Sequence, residues 1–175
     1  MLINLSEILS ILGESREYDV NLEISTISFM GSDYTVADAE PVYIRISNQE
    51  KKVLSLYVKT KLCLVGACNR CLAPVRTTYS VLVDREIDLN AKDTDALDDY
   101  DELSYIKDCD LDVDELIKNE LYSMIPLQLL CKESCLGICK VCGGNRNITS
   151  CECKQTMPDP RMAVFDDIFN QFKEV

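Results

Sequence analysis

Residues 54–83 read LSLYVKTKLCLVGACNRCLAPVRTTYSVLV, two runs of alternating apolar residues around a short segment with two cysteines. Apolar side chains recur at every second position in both runs, which is typical of β-strands with one buried face. Residues 66–74 separate the runs and include Gly and Pro, which favour a turn. The stretch therefore predicts a long antiparallel hairpin with Cys68 and Cys71 at its tip.

Two shorter alternating runs precede the hairpin. One includes Tyr18, Val20, Leu22 and Ile24, and the other includes Val42, Ile44 and Ile46. Both predict strands of the same half-buried sheet. We therefore expect residues 1–89 to form an antiparallel, partly barrel-like sheet that carries the CxxC hairpin.

Helical spacing begins in the second half of the chain. Asp112 and Glu115 are placed as a capping box ahead of an apolar stripe, and Pro126 predicts where that helix ends. A last helix is predicted from Asp159 as the N-cap, with Pro160 in its first turn. The fold class predicted is α+β: a sheet region (1–89), an acidic linker (90–111), and a region (112–175) in which helices and a cysteine knuckle pack on the sheet.

The charge composition excludes several classes of function. The chain of 175 residues has 18 Lys and Arg, 30 Asp and Glu, and a net charge of -12, which disfavours a general electrostatic grip on nucleic acid. It has no His, which removes Ser-His and Cys-His catalytic pairs and His-ligated metals. The charge is polarised, because residues 84–115 hold fourteen acids against three bases, whereas residues 45–76 hold seven bases against Glu50 alone. Solvation of exposed strands and loops is a sufficient explanation for such charges.

The N-terminal segment bears on the compartment. No Lys or Arg precedes Arg16, unlike a secretory signal, and no apolar stretch approaches the length of a membrane span. We therefore expect a cytoplasmic protein. In a reducing cytosol, thiols clustered at short spacings are metal ligands more often than disulfides.

Eight of the ten cysteines fall into four close pairs: Cys68/Cys71, Cys131/Cys135, Cys139/Cys142 and Cys151/Cys153. The last two pairs form CxxC-x8-CxC, a spacing that delivers four thiolates to one tetrahedral zinc ion. The first two pairs predict a second site, which would join the helical half to the hairpin. Zinc is therefore the predicted cofactor, with two structural ions favoured and one possible.

Other arrangements of the cysteines are open. Cys135, Cys139 and Cys142 with one of Cys151 or Cys153 would also form a compact site, leaving Cys68 and Cys71 as a free thiol pair. A CxxC thiol pair performs disulfide exchange, although redox sites of the thioredoxin type follow a buried parallel strand and begin a helix. The two unpaired cysteines, Cys63 and Cys109, are predicted to be small buried residues.

Four features follow one another along the chain: the hairpin tip CNRCLAP (68–74), the run CLGICKVCGGN (135–145), the pair CEC (151–153) and the sequence DPR (159–161). Together they resemble the bacterial YceD family, the large ribosomal RNA subunit accumulation proteins. The resemblance covers roughly residues 54–172. The chain departs from the family at Arg146, where we expect an apolar residue.

The resemblance implies a non-enzymatic accessory role in the synthesis, processing or stability of the RNA of the large ribosomal subunit. The partner implied is a precursor of that RNA or a basic protein of the large subunit, with no membrane and no small-molecule substrate. The candidates for contact with RNA phosphates are Lys59, Lys61, Arg70 and Arg76, whereas the acidic segment would suit a basic protein. A cytosolic thiol redox protein or sensor is the alternative function.

Overall fold

The computed structural model describes residues 1–50, 53–89, 104–107 and 109–153. The C-terminal helix predicted from Asp159, and residues 90–103 of the predicted linker, lie outside the described residues. The elements in chain order are β1 (Leu2–Asn4), α1 (Ser6–Ser10), β2 (Ser15–Val20), β3 (Thr26–Phe29), β4 (Ser32–Ala39), β5 (Val42–Glu50), β6 (Val53–Ala67), β7 (Pro74–Asp88), β8 (Ile106–Lys107), β9 (Asp110–Asp112) and α2 (Val113–Met124).

The predicted hairpin is confirmed. Strands β6 and β7 have 15 residues each and pair in antiparallel register from Val53 opposite Asp88 to Ala67 opposite Pro74. The alternation is visible in burial, because Leu54, Leu56 and Val58 are almost completely buried while side chains between them are more exposed. Residues 68–73 form the tip, which places Cys68 and Cys71 at the end of the hairpin.

Strand β6 pairs with two strands on its other side, β5 along its first half and β4 along its second half. Both run antiparallel to β6, and Glu40 bridges the break between them by donating its backbone N–H to the carbonyl of Lys61 at 2.8 Å. The buried hydroxyl of Thr60 donates to the carbonyl of Glu40 at 3.0 Å. Strands β2 and β3 pair with β5 and β4 respectively, so β2 to β7 form one six-stranded antiparallel sheet.

The expectation of a partly barrel-like sheet is wrong. Strand β7 pairs with β6, and within the described residues no pairing joins β7 to β2 or β3, so the sheet is open. Its apolar face is instead covered by α1, α2 and a small sheet of β1, β9 and β8, which share one core with it. The sequence analysis also did not predict β3 or β4, which meet at a turn through Met30 and Gly31 with φ values of 50° and 75°.

Helix α2 covers the sheet as the capping pattern predicts. The side chain of Asp112 accepts the backbone N–H of Glu115 at 3.3 Å, and the helix ends at Met124, two residues before Pro126. Arg85 on β7 forms an ion pair with Glu120 on the helix. These contacts fix the end of α2, and hence the start of the cysteine-rich segment, relative to the hairpin.

The last part of the predicted linker is structured where it is described. Strands β8 and β9 lie within it, and Tyr105, Ile106 and Leu111 are buried in the core. Among the described residues, no helix has the length and apolar character needed to cross a membrane.

Candidate metal centre

Four cysteines meet at the end of the β6–β7 hairpin and form what we call the tip cluster, Cys68, Cys71, Cys131 and Cys135. Their sulfur atoms all lie within 4.8 Å of one another. The Sγ–Sγ distance is 3.6 Å between Cys71 and Cys131, and 3.9 Å between Cys68 and Cys135. Cys131 is exposed and the other three are buried. The tip cluster therefore joins two segments about 60 residues apart in the sequence.

Hydrogen bonds of Asn69 hold these two segments together. Its backbone N–H donates to the carbonyl of Leu129 at 2.8 Å, and its side-chain oxygen accepts the N–H of Leu129 at 2.7 Å. Beneath this contact lies Gly66, where a Cβ atom would come within 2.7 Å of the Tyr34 ring and 2.8 Å of a methyl group of Leu129. The segment after α2 thus packs closely on the hairpin, and this packing brings Cys131 and Cys135 to the tip.

The remaining four paired cysteines form the knuckle cluster, Cys139, Cys142, Cys151 and Cys153, whose sulfur atoms also lie within 4.8 Å of one another. Gly143, with φ 71°, donates its N–H to the carbonyl of Cys139 at 2.9 Å. The N–H of Val141 lies 3.4 Å from the Cys139 sulfur. Only Cys139 of this cluster is buried, so the knuckle cluster lies nearer to solvent than the tip cluster.

The first cysteine of each CxxC turn has a lowered thiol pKa. Burial raises the pKa of the Cys68 thiol, but backbone N–H groups of Arg70, Cys131 and Cys71 that donate to its sulfur outweigh burial and lower the pKa to about 6. The backbone N–H groups of Cys142 and Val141 likewise lower the pKa of Cys139 to about 6. Both turns therefore stabilise a thiolate through backbone donors.

Two other cysteines of the clusters, Cys131 and Cys153, have raised pKa values. Burial, with hydrogen bonds to neighbouring sulfurs, raises the pKa of Cys131 to about 12. Hydrogen bonding to Cys142 is the main cause that raises the pKa of Cys153 to about 12. Four thiolates this close repel one another, so a cation among the sulfurs would favour complete ionisation of each cluster.

The donor sets fit a metal ion. Four sulfurs at about 2.3 Å from a tetrahedral zinc ion lie roughly 3.8 Å apart, which is close to the Sγ–Sγ distances of 3.6 and 3.9 Å in the tip cluster. Each group of potential ligands consists of cysteines alone, and four protein ligands leave no open coordination position. The two clusters thus could each bind a metal ion and are compatible with zinc. They contain the two sets of four cysteines that the sequence pairs favour, rather than the single compact site.

Three of the four candidate RNA-contact residues lie together on one face of the sheet, and the fourth, Arg70, lies at the hairpin tip. Lys59, Lys61 and Arg76 are exposed on the sheet face opposite the core. The guanidinium of Arg70 instead donates to the carbonyl of Cys135 at 3.1 Å, so this side chain supports the tip cluster. On the same outer face, the Arg45 guanidinium lies 5.2 Å from the centroid of the Tyr57 ring.

Two cysteines are not where the sequence predicted, and two asparagines at the clusters were not predicted at all. Cys109 is exposed and Cys63 is partly exposed, so the prediction of two buried cysteines is wrong. The analysis of the sequence missed Asn69 and Asn147, whose side chains bind the cluster segments. Neither has a recognisable signal, because a short polar residue in a loop is ordinary until its tertiary contacts are known.

The fold and the two clusters define the class of protein. It is a β-sheet protein with an open antiparallel sheet and two candidate structural metal sites, the tip cluster and the knuckle cluster. The chain belongs to the family described as "Large ribosomal RNA subunit accumulation protein YceD", whose sequence model matches residues 56–169. The family resemblance seen in the sequence is therefore confirmed.

Two relatives of the chain are distant in sequence. The uncharacterized protein YlbN of Bacillus subtilis is 25% identical over 162 residues, which is 92% of each chain. The uncharacterized protein Rv2926c of Mycobacterium tuberculosis is 30% identical over 79 residues, 45% of this chain and 38% of the relative. The chain thus aligns with well under half of the mycobacterial protein. No solved structure matches.

Proposed function

We propose that this protein is a non-enzymatic accessory factor in the synthesis, processing or stability of large-subunit ribosomal RNA. The observation that carries the proposal is the family match over residues 56–169, since the family is described by accumulation of that RNA. The cytoplasm, where ribosomal RNA is made and assembled in bacteria, is the proposed location.

We also propose that both clusters hold structural zinc. Support comes from the all-cysteine donor sets, whose sulfur atoms lie within 4.8 Å of one another in each cluster, and from the two Sγ–Sγ distances of 3.6 and 3.9 Å in the tip cluster. Between residues 131 and 153, several large apolar side chains are exposed, among them Leu136, Val141 and Ile148. This segment has little apolar burial to offset its ordering entropy, whereas structural zinc contributes folding free energy on the order of 10 kcal/mol in small zinc fingers.

An enzymatic role has less support. The chain has no His to act as a general base, and eight of its ten cysteines lie in the two clusters. Thiolates closed around a metal ion are not available as nucleophiles. A thiol redox protein using Cys68 and Cys71 is the competing function, and metal content separates the two.

The partner is proposed to be a large-subunit RNA precursor, with a basic ribosomal protein as the competing partner. The bases that support RNA contact are Lys59, Lys61 and Arg76, because all three are exposed on one face of the sheet. The acidic segment would favour a basic protein, but residues 90–103 lie outside the described residues.

The test is purification from cells under reducing conditions, with zinc counted per chain and co-purifying RNA and protein identified. Two zinc ions per chain, together with large-subunit precursor RNA, would support the proposal. Zinc-free protein whose disulfide reductase activity is lost in Cys68→Ser would instead establish the redox function. One ion per chain would favour the compact site and remove the connection between hairpin and helix.

A charge-reversal series separates the two partners. Replacing Lys59, Lys61 and Arg76 by Glu should weaken association with precursor particles, and added salt should weaken the unmodified protein similarly. The control replaces Lys107, Lys118 and Lys132 by Glu, which changes the net charge equally elsewhere.

Neutralising five linker acids should strengthen RNA binding but weaken binding to a basic protein; these acids are Asp93, Asp95, Asp98, Asp99 and Asp101. Unchanged binding in both series would contradict the electrostatic account.

A further inference from the structure

The two clusters are neighbours in the chain. Cys135, the last ligand candidate of the tip cluster, and Cys139, the first of the knuckle cluster, are separated by Leu136, Gly137 and Ile138. Because only three residues lie between them, the positions of Cys135 and Cys139 are linked through the backbone. The two clusters are therefore connected before any side-chain contact is considered.

The backbone of Arg70, inside the tip CxxC turn, forms one contact between the clusters. Its carbonyl accepts the N–H of Ile138 at 3.1 Å. Gly137, with φ 73°, lies so close that a Cβ atom would stand 3.0 Å from the same carbonyl. The N–H of Arg146, from the far side of the knuckle loop, in turn donates to the carbonyl of Gly137 at 2.9 Å. The knuckle loop is thus built directly on the tip turn.

Asn147 forms the second contact. It belongs to the loop between Cys142 and Cys151, yet its side-chain amide donates to the sulfur of Cys135 in the tip cluster at 3.3 Å. Its side-chain oxygen accepts the N–H of Leu136 at 3.0 Å. One side chain of the knuckle loop therefore helps to position a ligand candidate of the other cluster.

We infer that metal binding at the two clusters is ordered and coupled: the tip cluster binds first, and Arg70 and Asn147 make the knuckle cluster depend on it. This inference rests on the proposed function, in that both clusters bind zinc. Asn147 is a positioning residue, since it acts through Cys135.

The order follows from what supports each cluster. Cys68 and Cys71 lie at the end of two 15-residue strands paired along their whole length, and Asn69 fixes the opposite segment at Leu129. The tip cluster is therefore largely preorganised. The knuckle cluster has two hydrogen-bonded turns, and its contacts with the rest of the described protein run through Arg70 and the segment of Cys135. Its ordering entropy is lower once the tip cluster is closed, which raises its metal affinity.

The coupling must be reciprocal. If a metal ion in the tip cluster raises the affinity of the knuckle cluster by some factor, a metal ion in the knuckle cluster raises the affinity of the tip cluster by the same factor. Loss of a hydrogen bond that orients a metal ligand typically lowers metal affinity by about 10- to 100-fold. We expect the coupling factor to fall in this range.

The order is tested on the full, reduced, metal-free chain with zinc as the probe. One equivalent of Zn²⁺ is added, exposed thiols are alkylated, and each modified cysteine is identified by mass spectrometry. Cys68, Cys71, Cys131 and Cys135 should be protected, while the four knuckle cysteines should be alkylated. Equal protection of both sets, or earlier protection of the knuckle set, would overturn the order.

The coupling is tested with Asn147→Ala, whose matched control is Thr149→Ala. Thr149 lies in the same loop and donates to the carbonyl of Asn145 at 3.3 Å, within the knuckle. A Co²⁺ titration followed by thiolate-to-metal absorption should show about 10-fold or greater loss of affinity for the second ion in Asn147→Ala, and less than about threefold loss in the control. Equal effects of the two variants would overturn the role of Asn147.

Reciprocity has its own measurement. The affinity of the tip cluster in a Cys151→Ser, Cys153→Ser chain, whose knuckle cluster stays empty, should be lower than the affinity of the tip cluster beside a loaded knuckle cluster. The factor should equal the one that separates knuckle affinity with and without a loaded tip cluster. Two ions that bind independently in every variant would refute the coupling while leaving the zinc proposal intact. A chain that binds no ion in any variant would refute the zinc proposal itself, so the two failures are distinguishable.

Discussion

Leu72 and Gly143 occupy the same position in two equivalent turns. Each follows the second cysteine of a CxxC pair, each has a positive φ (61° and 71°), and each donates its N–H to the carbonyl of the first cysteine at 2.9 Å. The tip turn therefore places a leucine in a conformation that favours glycine, and this leucine is 65% exposed. The same local hydrogen bonding thus forms two similar thiolate-stabilising turns in two segments that are distant in the sequence.

The knuckle turn depends on Gly143. Gly143→Ala should destabilise the zinc-loaded knuckle by about 1 kcal/mol, because a Cβ atom is disfavoured at positive φ. The matched control is Gly144→Ala, where an added Cβ atom would meet its nearest neighbour at an ordinary 3.5 Å. Zinc affinity measured by chelator competition gives the difference. Equal losses in the two variants would contradict the role assigned to the backbone conformation.

Gly66 should be intolerant of any side chain. In Gly66→Ala, the new methyl group would lie 2.7 Å from the ring of Tyr34 and 2.8 Å from Leu129. We expect a loss of about 1 to 3 kcal/mol in the free energy of unfolding, and weaker metal binding at the tip cluster, since Leu129 is bonded to Asn69. Denaturant unfolding and metal titration measure the two effects. Ala67→Ser, at the exposed neighbouring position, should leave both nearly unchanged.

Acid should release the metal over a defined pH range. In the folded arrangement the pKa values of Cys68 and Cys139 are lowered from the ordinary 9.0 to about 6. A lowered pKa gives stability that is fully present above pH 9 and lost as the pH falls through 6. We expect zinc to be retained at pH 7 and released in more acidic solution, because protons compete with the metal for the thiolates, with loss of order in residues 131–153. Elemental analysis after dialysis at successive pH values tests this, and release already complete at pH 7 would contradict it.

Asn48 should matter for the fold but not for the metal. It is 2% exposed, and its side-chain amide donates to the carbonyls of Ile8 at 3.0 Å and Ile11 at 2.9 Å around the end of α1. Asn48→Ala should lower the free energy of unfolding by about 1 to 3 kcal/mol, since it removes the hydrogen bonds that the side-chain amide donates to the carbonyls of Ile8 and Ile11. Zinc content should be unchanged. Asn4→Ala, which removes an exposed hydrogen bond to Asp110, should cost less; an equal or larger cost would contradict this assignment.

The local patterns in the sequence were sufficient for the long hairpin, its cysteine tip and helix α2. Alternating burial has a period of two residues, and Asp112 and Glu115 are three positions apart, so each signal lies within a short window. Other elements gave weaker signals. Strands β3 and β4 carry polar residues such as Ser28, Asp33 and Thr35, and β4 joins the sheet by pairing with β6, which is distant in the sequence.

The spacing of the cysteines, by itself, favoured two groups of four and left a compact single site open. Only the tertiary structure brought Cys131 and Cys135 to Cys68 and Cys71, because that meeting depends on the packing of Leu129 under the hairpin tip. The structure also shows that the guanidinium of Arg70, a predicted RNA contact, donates to the carbonyl of Cys135. The sequence determines which short segments form strands, turns and thiol pairs, since those are local energies, whereas contacts across about 60 residues are decided by how the whole core closes.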